Sequence, residues 1–252
     1  MAMLLSWAVG HTQILLPAPP PPPNARLAAP RDLTGYWVSL VTEDWRVRMM
    51  TPDKGDFIGI PLNAAGRALL ATWDPAKDEA AGEQCKSYGA PAIMRVPTRL
   101  HITWEGDDVL RVDTDAGEQT RRFHFKGAAP TGEAPSLQGY SAASWEGGRP
   151  RGQAGVTATL GSRGNAEGHG YLKVLTTNLK PGYLRKNGVP YGARAQVEEY
   201  FDSFTEPNGD TYLIVTSIVT DPDYLDGSFL TSSHFRKLTG PTGWRPAACE
   251  AR

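Results

Sequence analysis

Leu33-Thr34-Gly35-Tyr36-Trp37-Val38-Ser39 opens a strand-rich chain with a Gly-x-Trp, and Thr231-Ser232-Ser233-His234-Phe235-Arg236-Lys237 answers it near the C-terminus. Between the two, apolar and polar residues alternate with period two over successive segments, as half-buried strands require. The first strand is expected from roughly Gly35 to Glu43, with Trp45-Arg46-Val47-Arg48-Met49-Met50 continuing it after a bend. The last strand runs from Phe229 to Leu238.

Working inward, Leu100, Ile102 and Trp104 alternate with His101 and Thr103, and short turns lead on to Val109 through Asp115 and Gln119 through Lys126, a three-strand meander. A Gly/Ala/Pro-rich stretch, Gly127 to Pro135, precedes Gln138 through Glu146, and residues 147 to 169 read as a mobile loop. A second meander takes in Leu172 to Asn178, Ala195 to Phe204 and Thr211 to Thr220, the last read as buried on both faces. The connection from Pro181 to Tyr191 carries an Asn187-Gly188 turn. One helix is expected, with Asn63 as N-cap, Leu69, Leu70 and Trp73 as its apolar face and Asp74-Pro75 as its stop. Residues 74 to 98 read as a long polar excursion. Eight to nine strands and one short helix suit an all-β fold, a single closed antiparallel barrel with long loops over residues 32 to 239. An open β-sandwich would show similar alternation. Residues 1 to 31 form a Pro-rich tail or signal-like segment ending in a linker, and 240 to 252 a C-terminal tail.

Composition narrows the function. With 26 basic against 27 acidic residues the formal net charge is −1, which argues against nucleic acid as a partner. No run of eighteen apolar residues offers a membrane span. The N-terminal apolar stretch has no Lys or Arg before it and is interrupted at His11-Thr12-Gln13, so it makes a poor export signal. The expected location is periplasmic or secreted, with a cytoplasmic protein carrying a Pro-rich tail as the alternative. Cys85 and Cys249 form one disulfide after export or stand as independent thiols. Gly-x-Ser-x-Gly, Walker and dinucleotide-binding motifs are absent, so serine-nucleophile, phosphoryl-transfer and nicotinamide chemistry are not expected.

Candidate site residues follow from parity and charge density. Thr42-Glu43-Asp44-Trp45-Arg46-Val47-Arg48 is the densest polar cluster, and strand alternation places Glu43 and Trp45 on one side with Arg46 and Arg48 on the other. A carboxylate beside a buried Trp is pushed toward general acid–base use, and arginines hold an anion bidentately. Glu198 and Glu199 face opposite sides of their strand, so only one, taken as Glu199, turns inward. Lys173, Tyr183, Arg185 and Tyr191 lie on or near the loop expected to cap the same end. His101, Arg111 and His124 share the polar parity of the first meander, and His234 and Arg236 that of the last strand. Either this parity meets solvent or, if loops cover the barrel, it lines a polar cavity. The three strand histidines lack metal-ligand spacing, and neither a metal nor another cofactor is expected.

The Gly-x-Trp and the Arg of the last strand resemble the closure signature of lipocalin-like (calycin) barrels, which implies a ligand cavity and an Arg, here Arg236, covering the indole of Trp37. Leu172-Lys173-Val174, Val197 through Phe201, Thr42 through Arg46 and Gly82-Glu83-Gln84-Cys85 are similar to a group of uncharacterised, mostly exported bacterial proteins, which implies fold and export more than activity. The expected function is a cofactor-independent acid–base enzyme (lyase, isomerase, hydratase or cyclase) acting on a small aromatic molecule in the barrel cavity. Glu43, Arg46, Tyr183 and Glu199 are its catalytic candidates. Trp45, Arg48, His101, Arg111, His124, Lys173, Tyr191 and His234 are its candidates for substrate binding. The alternative is a non-catalytic carrier of a small apolar ligand.

Overall fold

In the computed structural model, which describes residues 22–129, 131–148 and 170–251, nine strands close into one ring. They are β1 (Gly35–Leu40), β2 (Arg99–Trp104), β3 (Val109–Thr114), β4 (Thr120–His124), β5 (Tyr140–Glu146), β6 (Tyr171–Thr177), β9 (Gln196–Thr205), β10 (Thr211–Thr220) and β11 (Phe229–Leu238). The ring runs β1-β11-β10-β9-β6-β5-β4-β3-β2 and returns to β1. Strands that alternate in direction close only in even numbers, so an odd ring needs one parallel join. It falls between β4 and β5, where Phe123 faces Ser141 and His124 faces Ala142. The chain must therefore travel the length of the barrel between those strands, and residues 125 to 139 do so. The expected closed barrel is thus antiparallel at every join but this one.

The Gly-x-Trp closes the ring as expected, with one change of residue. Gly35 adopts φ +109°, a region open to glycine, and lets the chain enter β1. Trp37 is fully buried and its Nε1 donates to the Leu33 carbonyl at 2.9 Å. Register places Lys237 directly opposite, with its Nζ 5.2 Å from the indole centroid. Arg236, one residue earlier, points outward and is exposed. The cation over the indole is Lys237 because alternation along β11 puts it, and not Arg236, on the inner face.

The apolar parity turns inward and packs solidly. Leu100, Ile102, Val112, Phe123, Leu172, Val174, Leu213, Val215 and Phe235 are wholly buried, so no water-sized space touches them. The polar parity faces outward: His101, Thr103, Arg111, Asp113, Arg122 and His124 are partly or fully exposed. β10, expected to be buried on both faces, alternates, with Tyr212, Ile214, Thr216 and Ile218 partly exposed on its outer face.

Each end is closed by chain. At one end the helical turn α1 (Ala25–Ala28), capped by Asn24, docks through Ala25 and Arg26 onto the β2–β3 turn. Trp145 Nε1 donates to the Ala25 carbonyl at 2.9 Å. Residues 24–32, read from the sequence as a linker, thus plug the barrel. At the other end lie α2 (Trp45–Arg48), α3 (Ala64–Thr72), α4 (Pro75–Ala80), a 3-10 turn (Gln84–Tyr88), α5 (Ala90–Ile93) and the ribbon of β7 (Gly182–Tyr183) with β8 (Pro190–Tyr191).

α3 has the expected Asn63 cap, whose side chain accepts from Gly66 N at 2.8 Å. Leu70 and Trp73 face inward, whereas Leu69 is exposed. The stretch read as a polar excursion is instead the lid of the core, since Tyr88, Ile93 and Met94 join the barrel's apolar cluster. The expected Pro-rich tail before residue 22 and most of the 147–169 loop lie outside the described residues.

Cys85 and Cys249 are bonded, with Cα atoms 5.0 Å apart and a sequence separation of 164. The bond ties the C-terminal segment to the 3-10 turn beside the hydrogen bonds that Ala247 makes with Asp115 and Gly117. Reduction, or Cys249→Ser, is predicted to lower the unfolding free energy by about 2–5 kcal/mol. The shift of the urea midpoint measures this, and an unchanged midpoint would show that the hydrogen bonds alone hold the segment.

Candidate functional site

The capped end carries a cleft of about 350 Å³, walled by α2 and Met49-Met50, by Ser87, Tyr88, Arg95 and Val96, by Leu184-Arg185-Lys186, and by Ala247, Ala248 and Glu250. Its chemistry begins with a local reversal of the chain. β1 ends at Leu40, and Asp44 takes a left-handed conformation, φ 53°, which Asp tolerates better than most residues. Trp45–Arg48 then form a helical turn rather than more strand. The difference re-sorts the side chains. Along a strand Arg46 and Arg48 would share a face; around a helix, residues two apart lie on nearly opposite sides. Arg48 accordingly turns into the cap, while Arg46 and Trp45 are exposed.

Arg48 meets two other buried arginines. Arg48, Arg95 and Arg185 are 8%, 7% and 7% exposed, and all three line the cleft. Arg48 Nε donates to the Arg95 carbonyl at 2.9 Å and its Nη1 lies 3.3 Å from Glu43 Oε1. Arg95 Nη2 binds Asp44 Oδ2 at 2.8 Å. Arg185 Nη2 donates to the Ile58 carbonyl at 2.7 Å. Burial, and after it the charge of Arg95, pulls the pKa of both Arg48 and Arg185 below the ordinary guanidinium value.

The hydrogen bonding is incomplete. Arg48 Nη2, Arg185 Nε and Nη1, and the buried Ser87 Oγ have no hydrogen-bond partner among the described residues. An unsatisfied buried polar atom costs about 1–3 kcal/mol, and more when charged. A guanidinium does not escape by losing its proton. What such a cluster accepts chemically is an anion.

The cleft's walls are set by close packing. Gly117, at φ +74°, sits where an added Cβ would come within 2.4 Å of the Tyr88 ring. The turn between β3 and β4 therefore lies flat against Tyr88, and Lys186 covers that ring from 5.2 Å.

The structure gathers only part of the expected site. Glu43 stands at the cleft's edge on Arg48, and its other oxygen lies 3.6 Å from His234 Nδ1, which also meets Thr42 Oγ1 at 2.7 Å. Arg46 makes no ion pair among the described residues. Trp45 is 63% exposed, so it does not bury a carboxylate. The others are dispersed over the outer wall. His101 stacks on Tyr36 at 4.1 Å, His124 stacks on Tyr140 at 4.9 Å, Arg111 binds Asp113 and Lys173 binds Glu198. Burial and the nearby Arg122 hold the His124 pKa below its usual value. Among the described residues no group of three or more His, Cys, Asp or Glu side chains is placed to hold a metal. Tyr191 is wholly buried in the cap's apolar cluster, its hydroxyl without a hydrogen-bond partner among the described residues.

Tyr183 donates to Asp78 Oδ2 at 2.8 Å beside Lys86 and does not line the cleft. Burial first, and then the hydrogen bond to Asp78, push its pKa up to about 12. Its neutral form is the stabilised one. That contribution is present in full below pH 10 and is lost as pH rises toward 12. Alkaline titration by tyrosinate absorbance is predicted to show a component near pH 12 that Tyr183→Phe removes; the same curve for both proteins would contradict the bond to Asp78.

Glu199 faces inward as parity requires, but inside the barrel. It forms a two-pronged ion pair with Arg121, and both side chains have no exposed surface. Arg121 also reaches Thr176 Oγ1 at 3.2 Å, which bonds Ser141 Oγ at 2.8 Å, and it lies over Phe123. Arg95 and Arg121 were not recognised from the sequence, although each had a signal. Arg121 shares the inward parity of Phe123, and Arg95 is the one charge in the apolar run Ala90–Val96.

No protein-family model matches the chain, and neither curated proteins nor solved structures give a significant match.

Removing one partner of a buried ion pair strands the other charge. Glu199→Gln is predicted to destabilise the fold by about 3–5 kcal/mol, and Arg121→Met with Glu199→Leu to recover most of that loss. Chemical denaturation measures both. A well-folded Glu199→Gln with normal stability would show that the pair is not structural.

Proposed function

We propose that the protein binds a small organic anion in the arginine-lined cleft at the capped end of the barrel and acts as a binding or carrier protein. One observation carries this: Arg185 is buried with two guanidinium nitrogens unpartnered and no carboxylate against it among the described residues. Asp44 and Asp56 favour its charge only from a distance; burying such a group without a paired anion opposes folding, and a bound anion lowers that cost. The location differs from the axial cavity expected of a lipocalin-like carrier, because the residues along the barrel axis are packed against one another. An anion also differs from the apolar cargo expected of such a carrier.

Acid–base catalysis on the bound molecule is the second reading. It rests on Glu43, a carboxylate joined to a cleft arginine and also close to His234. Incubation with the bound anion distinguishes the two, since a carrier returns it unchanged. An oxidising compartment, periplasmic or secreted, and kinship with exported bacterial β-barrel proteins belong to the same proposal, supported by the Cys85–Cys249 bond. Neither nucleic acid nor a cofactor is invoked. Among the described residues no helix is long and apolar enough to cross a membrane.

Arg185→Leu is predicted to weaken binding of small organic anions by about tenfold or more while leaving the melting temperature unchanged or higher. Calorimetric titration and thermal melting of the same samples test both halves. Unchanged binding together with a lower melting temperature would contradict the proposal.

A further inference from the structure

We infer that the ligand of the cleft is a compact aryl monocarboxylate, an inference that rests on the anion-binding proposal above. The charge count selects the head group. Arg48 is matched by Glu43, Arg95 by Asp44, and Lys186 by Glu250 at 3.9 Å. Of these cleft cations Arg185 alone has no carboxylate within ion-pair distance among the described residues, Asp44 and Asp56 acting on it only from farther away, which leaves the cleft one unpaired cation for an anion to meet. The unpartnered Nη1 of Arg185 and Nη2 of Arg48 supply one donor from each of two cleft guanidiniums; both are closed to water in this structure, so a carboxylate reaches them only as the side chains that cover them give way.

The apolar side selects the body. Met49 and Met50, at 60% and 66% exposure, stand at the mouth, and Val47, Val96 and Ala116 continue the surface inward. Unbranched thioethers adapt to a ligand's shape and make favourable contacts with aromatic ring edges. A space of about 350 Å³ suits an acid of one or two rings. Ser87 Oγ, buried and unpartnered on the same wall, offers a hydrogen bond to the carboxylate or to a ring substituent.

Calorimetric titration of the full chain with acetate, cyclohexanecarboxylate, benzoate, naphthoate and phenyl phosphate tests this. The expected order has naphthoate and benzoate binding about tenfold or more tightly than acetate. Cyclohexanecarboxylate should be weaker than benzoate, and phenyl phosphate no tighter. In Met49→Ala/Met50→Ala the preference for naphthoate over acetate should fall to near one. Equal affinity for acetate and naphthoate, equal affinity for the saturated and aromatic rings, or a preference for the phosphate overturns the inference while the anion site stands. A preference undiminished in the double variant also overturns it. Failure of every anion to bind ends the anion-binding proposal itself.

Discussion

The odd number of strands is the constraint on which the rest depends. A nine-membered ring cannot be antiparallel throughout, and the parallel join of β4 to β5 forces residues 125–139 to travel from one end of the barrel to the other. That crossover arrives at the cap, where Ser136 bridges to Leu179 and Gln138 Nε2 donates to the Tyr88 carbonyl at 2.8 Å. The long connections from β1 to β2 and from β6 to β9 meet it there, as does the C-terminal segment. With the barrel interior filled by packed side chains, the cleft lies among these connections. The fold thus places its long irregular connections, and the unpartnered atoms of Arg48, Arg185 and Ser87, at one end.

Among the described residues the buried arginines form two systems that differ in kind. Arg121 and Glu199 are matched one to one inside the barrel, with Thr176 and Ser141 extending the network. Such a pair is neutral overall and specifies how β4, β6 and β9 come together. The cleft arginines are matched only in part. Glu43 and Asp44 are partly exposed and balance two of the three, and donors are left over. A buried cation without an ion-pair partner costs stability, and the proposed anion would offset that cost.

How far these features were legible depended on whether period-two alternation governed the segment. β10 and β11 were bounded to the residue, because long strands with turns at both ends leave little freedom. Parity also set Glu198 and Glu199 on opposite faces of their strand. It failed at Thr42–Met50, where a left-handed Asp44 ends the strand and a short helical turn sends Arg48 inward and Arg46 outward. No propensity scale reads a single such residue. The cap was missed for a related reason. Ala90-Pro91-Ala92-Ile93 is too short for helical periodicity to show, although Pro at a helix start was visible. The cleft joins residues from α2 to the C-terminal segment, a juxtaposition created by closure and not by any local pattern. The exchange of Arg236 for Lys237 over Trp37 shows the same limit on a small scale: the resemblance named the interaction, and the register named the residue.

The most direct test of the central claim is nitrogen NMR of the arginine Nε–H groups during titration with benzoate. The account predicts that the Arg48, Arg95 and Arg185 signals shift together and saturate, while Arg121, sealed in the barrel, does not move. Shifts confined to exposed arginines, or none at the three cleft residues, would contradict it.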